Sequence, residues 1–466
     1  MTRSDQHVVV VGGGPAGLAA AVAAHAAGLR TTIVEERRLL GGNFHLGRPA
    51  EPAREGSPAW FERRAGGASV VLNSAVVDAP SCGTLTISGP DGSRQITYSA
   101  LVIATGAHDR GVPIPGWTLP GVLTAGGALA MAKAHHVAPG MHVLVAGSGP
   151  FLLPVAAVIG ELGARVTILE ATPSRLALRA ATIMCRDPHL VGESIGYLVR
   201  TARRRIRYRH GRAVVRIEGD DRVREVVHAR VDANWRPIAG TEQREAVDAV
   251  ALGYGFVPST ELPQLMGCAL RYDGVQRGYG VVVDRAQQTS IANVFAAGEL
   301  TGVAGERVAA LEGRLAGLSA AATLGAFSAE EYAQRSCEVI RALKRLNRTA
   351  RWLASAFRPR DGLWSALANT DIICRCEDIQ LGSLMTALEG NAIEPRAAKS
   401  AARAGMGLCQ GRVCSGAITE ILRMTRSYRI PADSRPWSVQ PPLRPTLIAE
   451  WADLAEDVGQ SAADPT

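Results

Sequence analysis

No run of about 18 or more uncharged apolar residues, the length a helix needs to cross a bilayer, occurs in the 466-residue chain. The nearest segment, PFLLPVAAVIGELGARV, is interrupted by Glu161, so no transmembrane segment is expected. Lysine is nearly absent, and the net charge of +8, from 51 basic and 43 acidic residues, rests almost wholly on arginine. The densest arginine cluster, RTARRRIRYRHGR at 200–212, presents neither a basic face with aromatics nor a known binding motif. It reads as a solvated helix end and strand, which argues against a nucleic-acid partner. The start, MTRSDQHVVVVGGG, has no basic region and no cleavable apolar segment ahead of its first strand, so a cytoplasmic protein is expected. No C-x-x-C pair occurs, which removes the usual redox dithiol. Ser-His-Asp, His-rich zinc and paired-carboxylate arrangements are missing too.

Apolar residues make up 47% and mean hydropathy is +0.06, as suits a globular chain of two to four domains. The first forty residues read strand, turn, helix, strand: HVVVVGGG, PAGLAAAVAAHAAGLR, TTIVEE. Gly12, Gly14 and Gly17 form G-x-G-x-x-G, and Glu35 ends the second strand. Gly12 permits the tight turn, Gly14 lets a pyrophosphate approach the backbone, and Gly17 lets helix and strand pack closely. Glu35 can accept hydrogen bonds from an adenosine ribose. A second copy, MHVLVAGSGPFLLPVAAVIGELGARVTILEA, supplies Gly147, Gly149 and Glu170, with Leu152 in the third glycine's place. That unit either holds NAD(H) or an adenine nucleotide such as ATP or AMP, or is an empty structural repeat.

Two further segments match strand ends that meet the cofactor in two-dinucleotide flavoproteins. LVIATGAHDR carries Thr105 and Gly106, and TSIANVFAAGE ends in Gly298 and Glu299. The latter resembles the flavin signature T-x-x-x-x-V-F/Y-A-x-G-D with Glu for Asp. The helix after it, starting near Gly305, would aim its N-terminus at the isoalloxazine. The expected class is α/β: a split FAD-binding Rossmann-like domain at 1–107 and 275–327, interrupted by an NAD-type nucleotide-binding domain at 120–260. A helical linker (328–368), a small helical 2Fe-2S domain (369–425) and a C-terminal tail (426–466) follow.

The 2Fe-2S expectation comes from Cys374-x-Cys376 and Cys409-x4-Cys414. Two loops, each offering two neighbouring thiolates, can hold a metal centre, and this spacing suits a 2Fe-2S cluster better than the C-x2-4-C of structural zinc. Gly405, Gly407 and Gly411 would let backbone amides approach the sulfurs. Cys82, Cys185, Cys268 and Cys337 are scattered and read as ordinary buried or surface residues.

The stretches VVVVGGGPAGLAAA, LVIATGAHDRGVPIPGWTLPGVLTAGGA, AGSGPFLLPVAA, GYGFVPSTEL, GVAGERVAALEGRLAGLSAA, CRCEDI and AGMGLCQGRVC carry a resemblance over residues 7 to about 450. The chain resembles the alpha (A) subunits of multi-subunit flavin dehydrogenases: the opine oxidase A subunit, the alpha subunits of proline and D-hydroxyproline dehydrogenases, and the hydrogen cyanide synthase B subunit. Its C-terminal part resembles the bacterioferritin-associated ferredoxin-like 2Fe-2S domain. GGNFHLG at 41–47 stands where the family carries a flavin-contacting turn, which implies an FAD contact for Gly42. Asn43, His45 and Leu46 depart from that turn, and His108 stands where an arginine is expected. His45 is a candidate proton donor beside the flavin, or a loop histidine that fills space.

The family implies a heteromer in which a flavin-containing beta subunit of glycine- or sarcosine-oxidase type oxidises an amine, opine or (hydroxy)proline-type amino acid. The alpha subunit relays electrons through FAD and 2Fe-2S, and a third component would be a small ferredoxin-like subunit. Two rivals stand beside this reading: a self-contained NADH:acceptor oxidoreductase, and a scaffold stabilised by nucleotide and metal.

Overall fold

The segment His7–Val11, HVVVV, is buried at every position, as a central parallel strand must be when helices cover both faces of its sheet. The computed structural model describes residues 6–47, 55–176, 187–389, 395–425, 428–431, 436–437 and 439–451. In it this strand is the middle of a five-stranded parallel sheet. The order is Val294–Ala296, Ala100–Ile103, His7–Val11, Arg30–Val34, Ser69–Val71. One edge strand thus arrives only after the chain has built a second sheet elsewhere.

That second parallel sheet runs Arg207–His210, Arg165–Glu170, His142–Gly147, Ala249–Gly253, Val122–Thr124. Each sheet has an antiparallel three-stranded companion, at residues 75–97 and 212–246. Two antiparallel crossover strands, Ala107–Asp109 outward and Phe256–Pro258 on return, join the units. Asp109 holds the outward crossing in place: its carboxylate accepts from Thr124 Oγ1 at 2.8 Å and from Gly126 N–H at 3.1 Å. After the return, Leu262, Cys268 and Leu270 pack with Val9 and Leu101 of the first sheet. The arginine-rich stretch ends the helix Pro188–Arg203 and begins the strand Arg207–His210.

The helices Pro15–Ala26 and Glu306–Thr323 press together through small residues. A Cβ on Gly313 would lie 1.9 Å from the Ala16 carbonyl oxygen, so the two backbones touch where any larger residue would separate them. The next helix, Ala329–Ala356, starts at a capping box: Glu331 N–H donates to Ser328 Oγ at 3.2 Å, and Ser328 N–H to Glu331 Oε2 at 2.8 Å. Its buried stripe of Val339, Leu343 and Leu346 packs on Val308 and Leu315.

The C-terminal unit is a short hairpin, Ile372–Cys374 with Ile379–Gln380, and the helices Leu381–Ala387, Pro395–Ala402 and Ser415–Thr425. They close around Leu384, Ile418, Leu422, Trp364 and Trp437. Glu420 docks this unit on the first domain. Its side chain is 1% exposed and meets Arg277 at 2.5 Å and Arg423 at 3.0 Å, while Tyr272 donates its hydroxyl to it. Asp361 completes the cluster, 2.6 Å from Arg277 and 2.5 Å from Arg423.

Removing one member of a buried ion pair leaves the other uncompensated, so Glu420→Ala should destabilise the docked state by about 3–5 kcal/mol. Asp361, at 44% exposure, should cost only about 1 kcal/mol as Asp361→Asn. Chemical denaturation of the two variants, followed by the order of their midpoints, checks this.

Candidate functional site

In a doubly wound sheet, ligands bind outside the carboxyl ends of the strands where the strand order reverses, which here is beyond Val11 and Ile103. The first glycine loop occupies that crevice. Gly12 has φ +104, and a Cβ there would lie 2.3 Å from the Ala104 carbonyl oxygen; one on Gly17 would lie 1.8 Å from that of Gly12. Facing Gly14 such an atom would meet only the Gly42 Cα, at 3.9 Å, so the N-terminus of the helix Pro15–Ala26 is approachable. Its positive end suits a phosphate. Glu35 accepts from Gly13 N–H at 2.6 Å and from Arg37 N–H at 2.9 Å, and burial raises its carboxyl above the usual range. Gly42 opens the short helix Gly42–His45 with φ +58, and the buried His45 lies edge-on to Phe44.

The other strand ends converge on the same crevice. Thr105 donates its hydroxyl to the Ser259 carbonyl at 2.8 Å, tying the end of Ala100–Ile103 to the returning crossover, and Gly106 follows with φ +70. Gly298 N–H and the Thr301 hydroxyl both donate to Glu312 Oε2, at 3.0 and 2.9 Å. Burial raises the Glu312 carboxyl to about 7. Glu312 is absent from the sequence-based expectations. The signal that could have found it is its place on the buried stripe of Val308, Ala309 and Leu315, where a lone acid needs partners. Glu299 is half-buried, and burial raises its carboxyl against the opposing pull of Gly305 N–H.

The four predicted cysteines lie together as free thiols. Cys414 beside Cys374 holds the Cys374 thiol down to about 6, and Cys376 neighbours both Cys409 and Cys374. Gly405 N–H donates to Cys374 Sγ at 3.4 Å; Gly407 instead packs on Cys376, where a Cβ would lie 2.4 Å from that residue's own Cβ. Among the described residues, no group of three or more His, Cys, Asp or Glu converges as a site for a single metal ion. Four thiolates from two loops are the donor set a 2Fe-2S cluster takes. Cys374 and Cys414 are buried, whereas Cys409 is half-buried and Cys376 exposed. Of the other cysteines, Cys268 is buried and Cys82 and Cys337 are exposed; Cys185 lies outside the described residues.

Sequence reasoning did not bring the cysteine loops to the crossover, and the structure does. His108 Nε2 lies 3.1 Å from the Arg412 carbonyl, between Cys409 and Cys414, with burial lowering the imidazole below its usual range. Gly111 lies so flat on this loop that a Cβ would stand 2.3 Å from the Val413 carbonyl oxygen. A few residues on, Trp117 Nε1–H donates to the Ile372 carbonyl at 2.7 Å, and Arg375 reaches the Thr118 carbonyl at 3.5 Å. Residues 106–118 therefore leave the first crevice and touch both cysteine loops. At the second glycine loop, Gly147, Ser148 and Gly149 are buried, and Glu170 accepts from Gly149 N–H and Thr172 N–H, each at 2.8 Å.

Together these features define a flavin- and iron-sulfur-containing oxidoreductase. Residues 6–322 match the pyridine nucleotide-disulphide oxidoreductase model and residues 372–424 the BFD-like 2Fe-2S binding domain, so the chain belongs to the former family and carries the latter domain. It is an FAD-dependent oxidoreductase with FAD and a 2Fe-2S cluster as cofactors. Hydrogen cyanide synthase subunit HcnB of Pseudomonas protegens is 34% identical, over 93% of this chain and 97% of that protein. The opine oxidase A subunit of Rhizobium meliloti is 30% identical over 96% and 87% respectively, and that of Agrobacterium tumefaciens 31% over 96% and 91%. The crystal structure of L-proline dehydrogenase from P. horikoshii shares the fold, with TM-score 0.67 and 20% identity over 96% of this chain and 80% of that one. Among the described residues, no helix is long and apolar enough to cross a membrane.

Two outcomes are expected. Cys409→Ser should abolish the 2Fe-2S absorption and most of the bound iron, while Cys337→Ser leaves both intact, as read by iron analysis and visible spectra. The Glu312 carboxyl, raised from 4.5 to about 7, holds in the folded state a proton that the unfolded chain has already released. Its contribution to stability is complete below pH 4.5 and lost as pH rises through about 7. Glu312→Gln should remove this slope, up to about 3 kcal/mol, in denaturation curves taken across that window.

Proposed function

We propose that this chain is the electron-relaying component of a heteromeric dehydrogenase or oxidase whose substrate is an amine, opine or (hydroxy)proline-type amino acid. The observation that carries the relay is the contact of residues 106–118 with both cysteine loops, at His108–Arg412 and Trp117–Ile372. The strand end proposed to meet the flavin therefore continues directly into the support of the cluster.

In this reading Gly12, Gly14, Gly17 and Glu35 hold the ADP half of FAD: the helix N-terminus takes the pyrophosphate and Glu35 the ribose. Gly42, Thr105, Gly106, Gly298 and Glu299 line the remainder, with Glu312 fixing the Gly298 turn from behind. Cys374, Cys376, Cys409 and Cys414 hold the cluster. When bound, FAD accepts electrons in pairs and releases them singly, and the 2Fe-2S centre carries one at a time. Buried Cys374 and Cys414 face the protein, whereas exposed Cys376 and the neighbouring Leu408, 80% exposed, form the edge where a partner can exchange electrons.

The amine pocket belongs, in this reading, to a flavin-containing partner of glycine- or sarcosine-oxidase type. Support comes from relatives named as subunits, the A subunit of opine oxidase and, at 27% identity, the alpha subunit of sarcosine oxidase from Corynebacterium.

The test is anaerobic photoreduction of the bound flavin in the full chain, followed by electron paramagnetic resonance. A reduced-cluster signal is expected; a cluster that never accepts an electron favours the scaffold. Amine oxidation should be absent in the isolated chain and appear once the partner is added, and turnover without a partner would refute the division of labour.

A further inference from the structure

We infer that the second glycine loop takes no nicotinamide or adenine dinucleotide, because Phe357 of the same chain fills the face where a pyrophosphate would approach. Phe357 is then a specificity-determining residue that denies the flavin its NADH route.

The two loops align residue for residue in sequence, Gly12-Gly13-Gly14-Pro15 with Gly147-Ser148-Gly149-Pro150, but their backbones differ: the positive φ falls at Gly12 in the first and at Gly149, φ +102, in the second. At the first, Gly12 and Gly14 are half-buried, and only the Gly42 Cα stands within 4 Å of a Cβ placed on Gly14. At the second, all of Gly147, Ser148 and Gly149 are buried. A Cβ on Gly149 would meet Phe357 Cβ and Cγ, both at 3.6 Å, which is van der Waals contact with no space for a phosphate between. Ser148 donates its hydroxyl to the Phe357 carbonyl at 3.2 Å, so the loop binds the intruding segment through a polar contact as well.

The donors that would greet a phosphate are also displaced or engaged. The first helix begins at Pro15 with Gly14 as its N-cap, whereas the second begins at Leu152 with Phe151 as its N-cap, two residues beyond the position of Gly149. Leu152, fully buried in the place of Gly17, accompanies that later start. The Gly149 N–H is bonded to Glu170, while the first loop's acid bonds Gly13 and leaves Gly14 out of that contact.

The intruding residue is held from both sides. Phe357 ends the helix Ala329–Ala356, which is anchored by its capping box and its packing on Glu306–Thr323. Just beyond it, Asp361 is fixed between Arg277 and Arg423. Opening the loop therefore requires moving an anchored helix end, and apparent affinity falls by the fraction of molecules that achieve it.

Exclusion of NADH by Phe357 is independent of whether electrons pass from flavin to cluster. Its test uses the full chain, loaded with FAD and iron, and NADH as probe. Wild type should show no saturable NADH binding up to about 1 mM. Hydrogen exchange in peptides spanning 145–152 should be unchanged by NADH, a readout that needs no variant. Phe357→Ala should bind NADH at least about tenfold more tightly than that limit and gain protection at 147–152, while Phe357→Trp behaves as wild type. Saturable binding with protection of that loop in wild type overturns the inference. So does a Phe357→Ala protein that retains its flavin and melting temperature yet binds no better.

Discussion

The indole N–H of Trp117 and the imidazole of His108 both end on backbone carbonyls of the cysteine loops, at Ile372 and Arg412, and the working geometry of the chain rests on these two bonds. The segment that carries them is a connection between two sheets, where loops and function commonly coincide. It is held at its start by Asp109 on Thr124 and Gly126, and laterally by pairing with Phe256–Pro258. A rigid crossover makes the cluster domain part of the flavoprotein body. The ionic cluster of Arg277, Glu420, Asp361 and Arg423 fixes the same domain from a second side. Two separated attachments restrain rotation of the cluster domain against the first sheet's domain.

Buried carboxylates recur wherever a glycine turn must be held. Glu35 bonds the first loop, Glu170 the second and Glu312 the Gly298 turn, each accepting backbone N–H groups within 2.6–3.0 Å. Burial raises each carboxyl, and the backbone donors oppose that rise. The internal duplication is therefore chemical as well as topological. Its two copies differ in what covers the loop: the first lies beside a second glycine, Gly42, and the second lies beneath Phe357. One framework thus supports an approachable glycine loop in one copy and, on our inference, a packed joint in the other.

Features encoded in local spacing were legible from the chain alone. The turn after His7–Val11 tolerates only glycine at Gly12, where φ is +104, and the acid closing Arg30–Val34 follows at a distance set by one helix and one strand. The cysteine pairs are equally local, since C-x-C and C-x4-C describe single loops. Class, cofactors and family membership followed from these motifs. Contacts such as Glu312 with Gly298 and Trp117 with Ile372 have no such signature, because no spacing rule specifies which distant loops a returning chain lays side by side.

Sequence by itself determined the two nucleotide-type folds, the first glycine loop and the four thiols, because each depends on backbone geometry and donor chemistry within a few tens of residues. Only the tertiary structure decided that the two cysteine loops come together, that His108 faces them, and that Phe357 covers Gly149. The physical reason is common to all three: each contact joins segments distant in the chain, and no local spacing rule specifies which of them burial and docking charge bring side by side.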